Sequence, residues 1–131
     1  MRRIVDTNIL VRLSVIDDAE QSDRALELLS RHVLHVETTV ILETEWVLRS
    51  AYRLGRSSVS NLLRKLFDHP NLRFIDPTRV GSAIALHEGG MDFADALHIL
   101  GSGPRDDFVT FDRALAKSAQ RLWLDIPVHL L

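Results

Sequence analysis

No cysteine occurs among the chain's 131 residues. A disulfide scaffold and a cysteine-ligated zinc site are therefore both excluded, and the composition agrees with a reducing cytoplasm. Long apolar runs are missing as well. No uninterrupted stretch approaches the roughly 18 residues that a membrane-crossing helix needs, so no membrane association is expected. Met1-Arg2-Arg3 resembles the start of a secretory leader, but Asp6, Asn8 and Arg12 interrupt the apolar segment that would have to follow. An excess of one charge is also missing, because the formal net charge is only −2. Bulk electrostatics thus supplies no attraction for nucleic acid, and any such contact needs a local basic patch. There is no linker, internal repeat or low-complexity tract, so residues 1–131 are expected to form one domain, long enough to bury a core. What remains is ordinary for a soluble globular protein, at 46% hydrophobic and 26% charged residues.

The chain reads as alternating strands and helices. Residues 3–5 form a short β-branched run ending at Asp6, a first strand, and 9–13 follow it as a strand-to-helix elbow. Residues 17–31 carry Ala25, Leu28 and Leu29 at helical spacing, with Asp17 or Asp18 as N-cap. A second short strand is expected at 36–38 and a helix over 40–52, stopped by Gly55. Ser57 or Ser58 would cap the next helix, which bears Val59, Leu62, Leu63 and Leu66. Strands are expected at 71–75, 108–110 (buried) and 126–129, and helices at 78–87, 92–100 and 113–119. Strands separated by helices imply parallel pairing, and hence a three-layer α/β/α sandwich around a mainly parallel sheet. In such sheets, sites lie beyond the carboxyl ends of strands. Asp6 and Asp112 each follow a strand directly and are candidates on topology alone.

The most informative residues are acids far apart in sequence: Asp6, Glu43, the pair Asp92 and Asp95, and Asp112. Gathered in one pocket they would repel, by roughly 4 kcal/mol for a pair about 4 Å apart at an effective dielectric near 20. A divalent cation makes such a pocket tolerable, and a hard cation on oxygen ligands points to phosphate chemistry. Each acid also has a plainer reading. Asp6, with Thr7 and Asn8, suits a helix cap equally well. Glu43 and Glu45 are two positions apart on one helix and so face different ways; either reads as a solvated surface residue, and Trp46 neighbours Glu43. Asp92 and Asp95 share a helical face, Asp92 suiting an N-cap and Asp95 the first turn, where the helix N-terminus supports a negative charge. His98 is more simply a packed helix histidine than a metal ligand. Asp112 is the natural cap of the helix starting at Arg113, and Thr110 can donate a hydrogen bond beside it.

Four stretches carry a resemblance. They are Val-Asp-Thr-Asn-Ile-Leu-Val-Arg (5–12), Val-Ile-Leu-Glu-Thr-Glu-Trp-Val-Leu-Arg (40–49), Asp-Phe-Ala-Asp-Ala-Leu-His (92–98) and Val-Thr-Phe-Asp-Arg (109–113). In order and spacing the chain resembles the PIN-domain family, and within it the VapC-type toxins of bacterial toxin–antitoxin pairs. The resemblance implies a metal-dependent ribonuclease using Mg²⁺ or Mn²⁺. By matching positions its acids would be Asp6, Glu43, Asp95 and Asp112, with Asp92 as a direct or water-mediated metal partner and Glu45 outside the set. Thr7, Asn8 and Thr110 match supporting polar positions. Asp6, Glu43 and Asp95 would form the main metal shell, and Asp112 would orient water or help to hold a second ion. Between Leu100 and Phe108 the chain reads Gly-Ser-Gly-Pro-Arg-Asp-Asp, where the family has a longer helix.

RNA must be steered past these acids by cations. Arg12, Arg49, Arg53 and Arg113 adjoin the acidic motifs, and solvated helix faces account for most of them. Arg49 and Arg53 read as an i, i+4 pair suited to phosphate contact. The resemblance further implies a homodimer and a small VapB-like antitoxin lying across the toxin groove, to which the apolar positions Trp46, Leu62, Leu63 and Leu66 could contribute. DNA would be contacted only through the antitoxin. A different reading keeps the fold but makes the chain a catalytically weak module acting through a protein partner. Phosphatases that use paired aspartates fit poorly, because Asn8 stands where the second aspartate would be. A phospho-acceptor receiver fits poorly for want of a suitably placed lysine.

Overall fold

The structure is a computed structural model that describes residues 1–122 and 124–131. The chain divides into two compact units, Met1–Pro77 and Thr78–Leu131.

The first unit holds β1 (Arg3–Ile4), α1 (Thr7–Ser14), α2 (Ala19–Arg31), β2 (Leu34–Val36), α3 (Thr38–Ser50), α4 (Arg56–Asp68) and β3 (Leu72–Phe74). Its strands form a parallel sheet in the order β1-β2-β3. Leu34 pairs with Arg3 on one side and Leu72 on the other, and Val36 pairs with Phe74. The Val5 N–H donates to the His35 carbonyl at 3.1 Å, carrying the pairing to the residue before Asp6. The helices obey the periodicity that burial requires: Ser22, Ala25 and Leu29 of α2, and Val59, Leu63 and Leu66 of α4, are buried at three- and four-residue spacing. Leu10, Leu34, Val36, Ile41, Leu48 and Leu63 are fully enclosed.

The second unit holds α5 (Pro77–Glu88), α6 (Phe93–Ile99), β4 (Phe108–Thr110), α7 (Arg113–Arg121) and β5 (Val128–Leu130). β4 and β5 pair in parallel, Phe108 opposite Val128 and Thr110 opposite Leu130. The expected α/β class and parallel pairing are thus present, with the pairing distributed over a three-stranded and a two-stranded sheet.

Several boundaries differ from the sequence expectation. The second strand ends at Val36, because the Glu37 carbonyl already accepts from Val40 and Ile41 and opens α3 at Thr38. α3 ends at Ser50 rather than running to residue 52, and Gly55 is the N-cap of α4 instead of the stop of α3. The reversal between them falls on Arg53, at φ 55°, a left-handed role that glycine usually fills. Ser57 and Ser58 consequently lie inside the first turn of α4 and do not cap it. Strand β4 is not buried: Val109 is 53% exposed, since alternate residues of a strand face opposite sides. The last strand begins two residues later than expected, at Val128.

A polar link ties the end of α1 to the turns beside it. Arg12 donates to Asp17 at 2.8 Å, and the Tyr52 hydroxyl donates to the other Asp17 oxygen at 2.6 Å. The Tyr52 hydrogen bond, followed by the Arg12 charge, holds the Asp17 carboxyl below its ordinary range against an opposing effect of burial. A depressed carboxyl contributes stability that is complete above its unfolded value and is lost as pH falls through the folded one. Tyr52→Phe should therefore lower the urea midpoint at neutral pH. The gap from wild type should narrow as pH falls below the ordinary aspartate range. A constant gap across an acid series of urea melts would exclude Asp17 as the partner that matters.

Candidate functional site

Three of the predicted acids cap helices. Asp6 follows β1 and accepts from the Ile9 N–H at 3.4 Å, a long and weak contact. Asp92 accepts from Asp95 N–H at 3.0 Å, and Asp112 accepts from Leu115 N–H at 3.1 Å. In each, the bond uses Oδ1, and Oδ2 has no hydrogen-bond partner among the described residues. Capping and a chemical role therefore coexist, because a carboxylate has more acceptor sites than one cap consumes.

Asp6 and Glu43 belong to the first unit, Asp6 as the cap of α1 and Glu43 on α3, and these two helices pack against each other. Glu43 is exposed and has no ion pair or hydrogen bond among the described residues. Glu45, two positions on, is only 2% exposed and pairs through Oε2 with Arg49 Nε at 2.9 Å. The two glutamates do face different ways, as their spacing requires. Trp46 is 56% exposed.

Asp92, Asp95 and Asp112 belong to the second unit, and here the electrostatics is informative. The Asp95 carboxyl is pushed above its ordinary range, chiefly by burial and then by the charges of Asp92 and Asp112. His98 acts weakly the other way. The fold thus brings Asp95 within the field of both Asp92 and Asp112. Thr110 supports the group by accepting from the Asp112 N–H at 2.9 Å, which leaves the hydroxyl proton free to donate.

The short helix α6 is secured by a residue that the sequence did not single out. Gly101 N–H bonds to the His98 carbonyl, so the Leu97 carbonyl lacks the helical partner it would otherwise have. Arg79 of α5 fills the vacancy, its Nε donating to Leu97 O at 2.8 Å and its Nη2 to the same oxygen. A cation at a helix C-terminus is favourable in itself. Gly101 makes room for it, since a Cβ there would lie 2.9 Å from Arg79 Nη2. At the other end, Gly90 adopts φ 108° just before Met91-Asp92, and Arg121 of α7 donates to the neighbouring Gly89 carbonyl at 3.0 Å. Arg79→Ala should cost about 2 kcal/mol, the worth of a charged hydrogen bond whose loss strands a carbonyl. It should also speed amide exchange through α6. Unchanged stability and exchange would remove Arg79 from this role.

The cations are placed differently from the sequence expectation. Arg49 and Arg53 do not form a helical i, i+4 pair, because α3 ends at Ser50 and Arg53 lies in the left-handed turn beyond it. Arg49 has an acid four residues before it, Glu45, and is bonded to it. Arg12 is committed to Asp17, Gln21 and Tyr52. Arg113 opens α7 and is exposed.

The donor set is made of carboxylate oxygens, which suit a hard divalent cation, and the raised Asp95 carboxyl marks a place where positive charge would relieve repulsion. Among the described residues no three His, Asp or Glu side chains stand together as a ready metal cage. Mg²⁺ does not require one, since it is bound by one or two carboxylates and keeps several waters. On chemistry the acids fit such an ion.

The chain is an α/β fold with parallel strands, and Asp6 and Asp112 stand just beyond the carboxyl ends of β1 and β4, where such folds bind ligands. The family comparison makes the assignment: the PIN domain model matches residues 3–120, and the chain belongs to the PIN domain family. The PIN domain is a nuclease-type fold, and its members are generally metal-dependent nucleases. No curated protein matches the chain, and no solved structure does. No helix among the described residues is long and apolar enough to cross a membrane.

Proposed function

We propose that the chain is a metal-dependent endoribonuclease, the toxin of a VapBC-type toxin–antitoxin pair, and that residues 1–131 act as one PIN domain. The observation that carries the reading is the pressure that burial and the charges of Asp92 and Asp112 put on Asp95, in a chain matched by the PIN domain over residues 3–120. Placing like charges together at a helix start has a cost, and a bound cation offsets it. Asp6, Glu43 and Asp95 would hold Mg²⁺ or Mn²⁺, with Asp92 completing the shell directly or through water. When bound, the ion lowers the pKa of water and offsets charge on the phosphate. Asp112 orients the attacking water through the oxygen its cap bond leaves available, and Thr110 holds Asp112 in place. Exposed Arg53, together with Arg49 where its guanidinium reaches solvent, meets the RNA backbone. The same reading makes the protein a cytoplasmic homodimer inhibited by a small antitoxin, through which alone it meets DNA.

Total RNA incubated with the partner-free protein, with Mg²⁺ or Mn²⁺ and with EDTA, tests the proposal. Discrete metal-dependent fragments are expected, and Asp6→Asn should lose them. A folded protein that cleaves nothing at any metal concentration would move the reading to a module acting through a protein partner, for which the 56% exposed Trp46 is the natural contact.

A further inference from the structure

A cleft of about 460 Å³ opens beside Asp6, walled by α1 and α2 within the first unit. Its volume falls in the range of small-ligand sites. Asp6 and Asn8 stand on its α1 side, Ile9 and Leu28 give it apolar walls, and Arg12 and Arg24 line it. The two arginines differ in state. Arg12 is neutralised by Asp17 at 2.8 Å, whereas Arg24 has no hydrogen bond or ion pair among the described residues. The Asn8 amide likewise has no partner among them. The cleft therefore offers one uncompensated guanidinium, one available amide and apolar walls, next to a carboxylate of the proposed nuclease site.

We propose that this cleft is a nucleotide subsite for single-stranded RNA, adjacent to the phosphodiester presented at Asp6. The choice of RNA rests on the nuclease reading above. Arg24 takes a backbone phosphate, for which the planar guanidinium is well shaped. Ile9 and Leu28 receive the flat face of the base, and Asn8 hydrogen-bonds to its edge or to the ribose. A nucleotide suits these features because it alternates one negative charge with an uncharged ring. It can set the charge on Arg24 and the ring against Ile9 and Leu28, whereas a run of carboxylates has no flat apolar face to fill those walls.

Binding of a labelled six-nucleotide single-stranded RNA in EDTA, followed by fluorescence anisotropy across a salt series, tests the proposal without cleavage. Arg24→Glu should weaken binding at least about tenfold and reduce the salt slope by about one. Arg31→Glu is the control. It makes the same charge change on the same helix, at an exposed residue that pairs with Glu27, and should bind within about twofold of wild type. Equal losses in both variants, no loss in Arg24→Glu, or no binding by wild type would overturn the subsite. So would a labelled hexaglutamate peptide that binds as tightly with the same dependence on Arg24. Cleavage of total RNA, measured separately with Mg²⁺, distinguishes the two proposals. If wild type cleaves but Arg24→Glu binds normally, the cleft is wrong and the nuclease stands. If binding depends on Arg24 but nothing is cleaved, the nuclease reading fails and the cleft stands.

Discussion

Asp95→Asn is expected to reduce metal-dependent RNA cleavage at least about a hundredfold, the scale seen when one preorganised electrostatic group is removed from an active site. The same substitution should leave the fold at least as stable as wild type. Asp95 is pressed by burial and by Asp92 and Asp112, so its ionised form is disfavoured in the native state. Asparagine keeps the shape and removes the charge. The pH dependence has a definite sign. A carboxyl raised on folding binds more protons in the native than in the unfolded state, so stability falls as pH rises from the ordinary aspartate range through the raised value. Without divalent cations, wild type should lose some stability across that window and Asp95→Asn should not. The effect is small, because Asp95 is only partly shielded from water. Thermal melts in EDTA across the acid range, beside cleavage assays with Mg²⁺, measure both. Cleavage within about twofold of wild type would sink the catalytic assignment. Lost activity accompanied by lost stability would show that Asp95 serves structure instead. Asparagine is also the right replacement at Asp112, since it can still accept the Leu115 N–H, whereas alanine would remove the cap as well, at about 1 kcal/mol.

Arg49→Ala should destabilise the protein by about 2–3 kcal/mol. Its partner Glu45 is 2% exposed, and removing the cation leaves a buried carboxylate uncompensated. The cost falls short of that for a fully enclosed pair because the Arg49 side chain is 51% exposed. Adding Glu45→Leu to Arg49→Ala should restore much of the loss, since it replaces a stranded charge by an apolar group of similar size. Urea unfolding of the single and double variants measures this coupling. The experiment also separates two roles for Arg49. If the residue mainly contacts phosphate, Arg49→Ala would fold with wild-type stability and bind RNA with a salt slope reduced by about one. That outcome would reject the structural assignment.

The elements were largely legible because burial imposes period. Ala25 and Leu29, and Val59, Leu63 and Leu66, announce helices by spacing alone, and a single buried face per helix is what the structure shows. The caps were legible too: Asp18, Asp92 and Asp112 each accept the N–H three residues on, a contact settled within one turn of chain. Gly55 was misleading for a local reason. A glycine between two helices can end one or start the next, and only the backbone of 50–54, reversing at Arg53, selects the second.

The composition, the order of strands and helices and the parallel pairing follow from sequence, because each rests on local chemistry or on a pattern that burial repeats. The partners of the cations do not. Nothing in the spacing of Arg12, Asp17 and Tyr52 says that they meet, nor that Arg79 reaches the Leu97 carbonyl, nor that Arg24, unlike Arg12, has no ion pair among the described residues at the cleft lined by Asp6. Long flexible side chains choose among distant groups according to where packing sets their helices. Likewise, the exposure of Glu43 against the burial of Glu45, and the pressure of Asp112 on Asp95, exist only once the chain has folded. A charge's environment is a property of the folded surroundings, and the tertiary structure alone decides it.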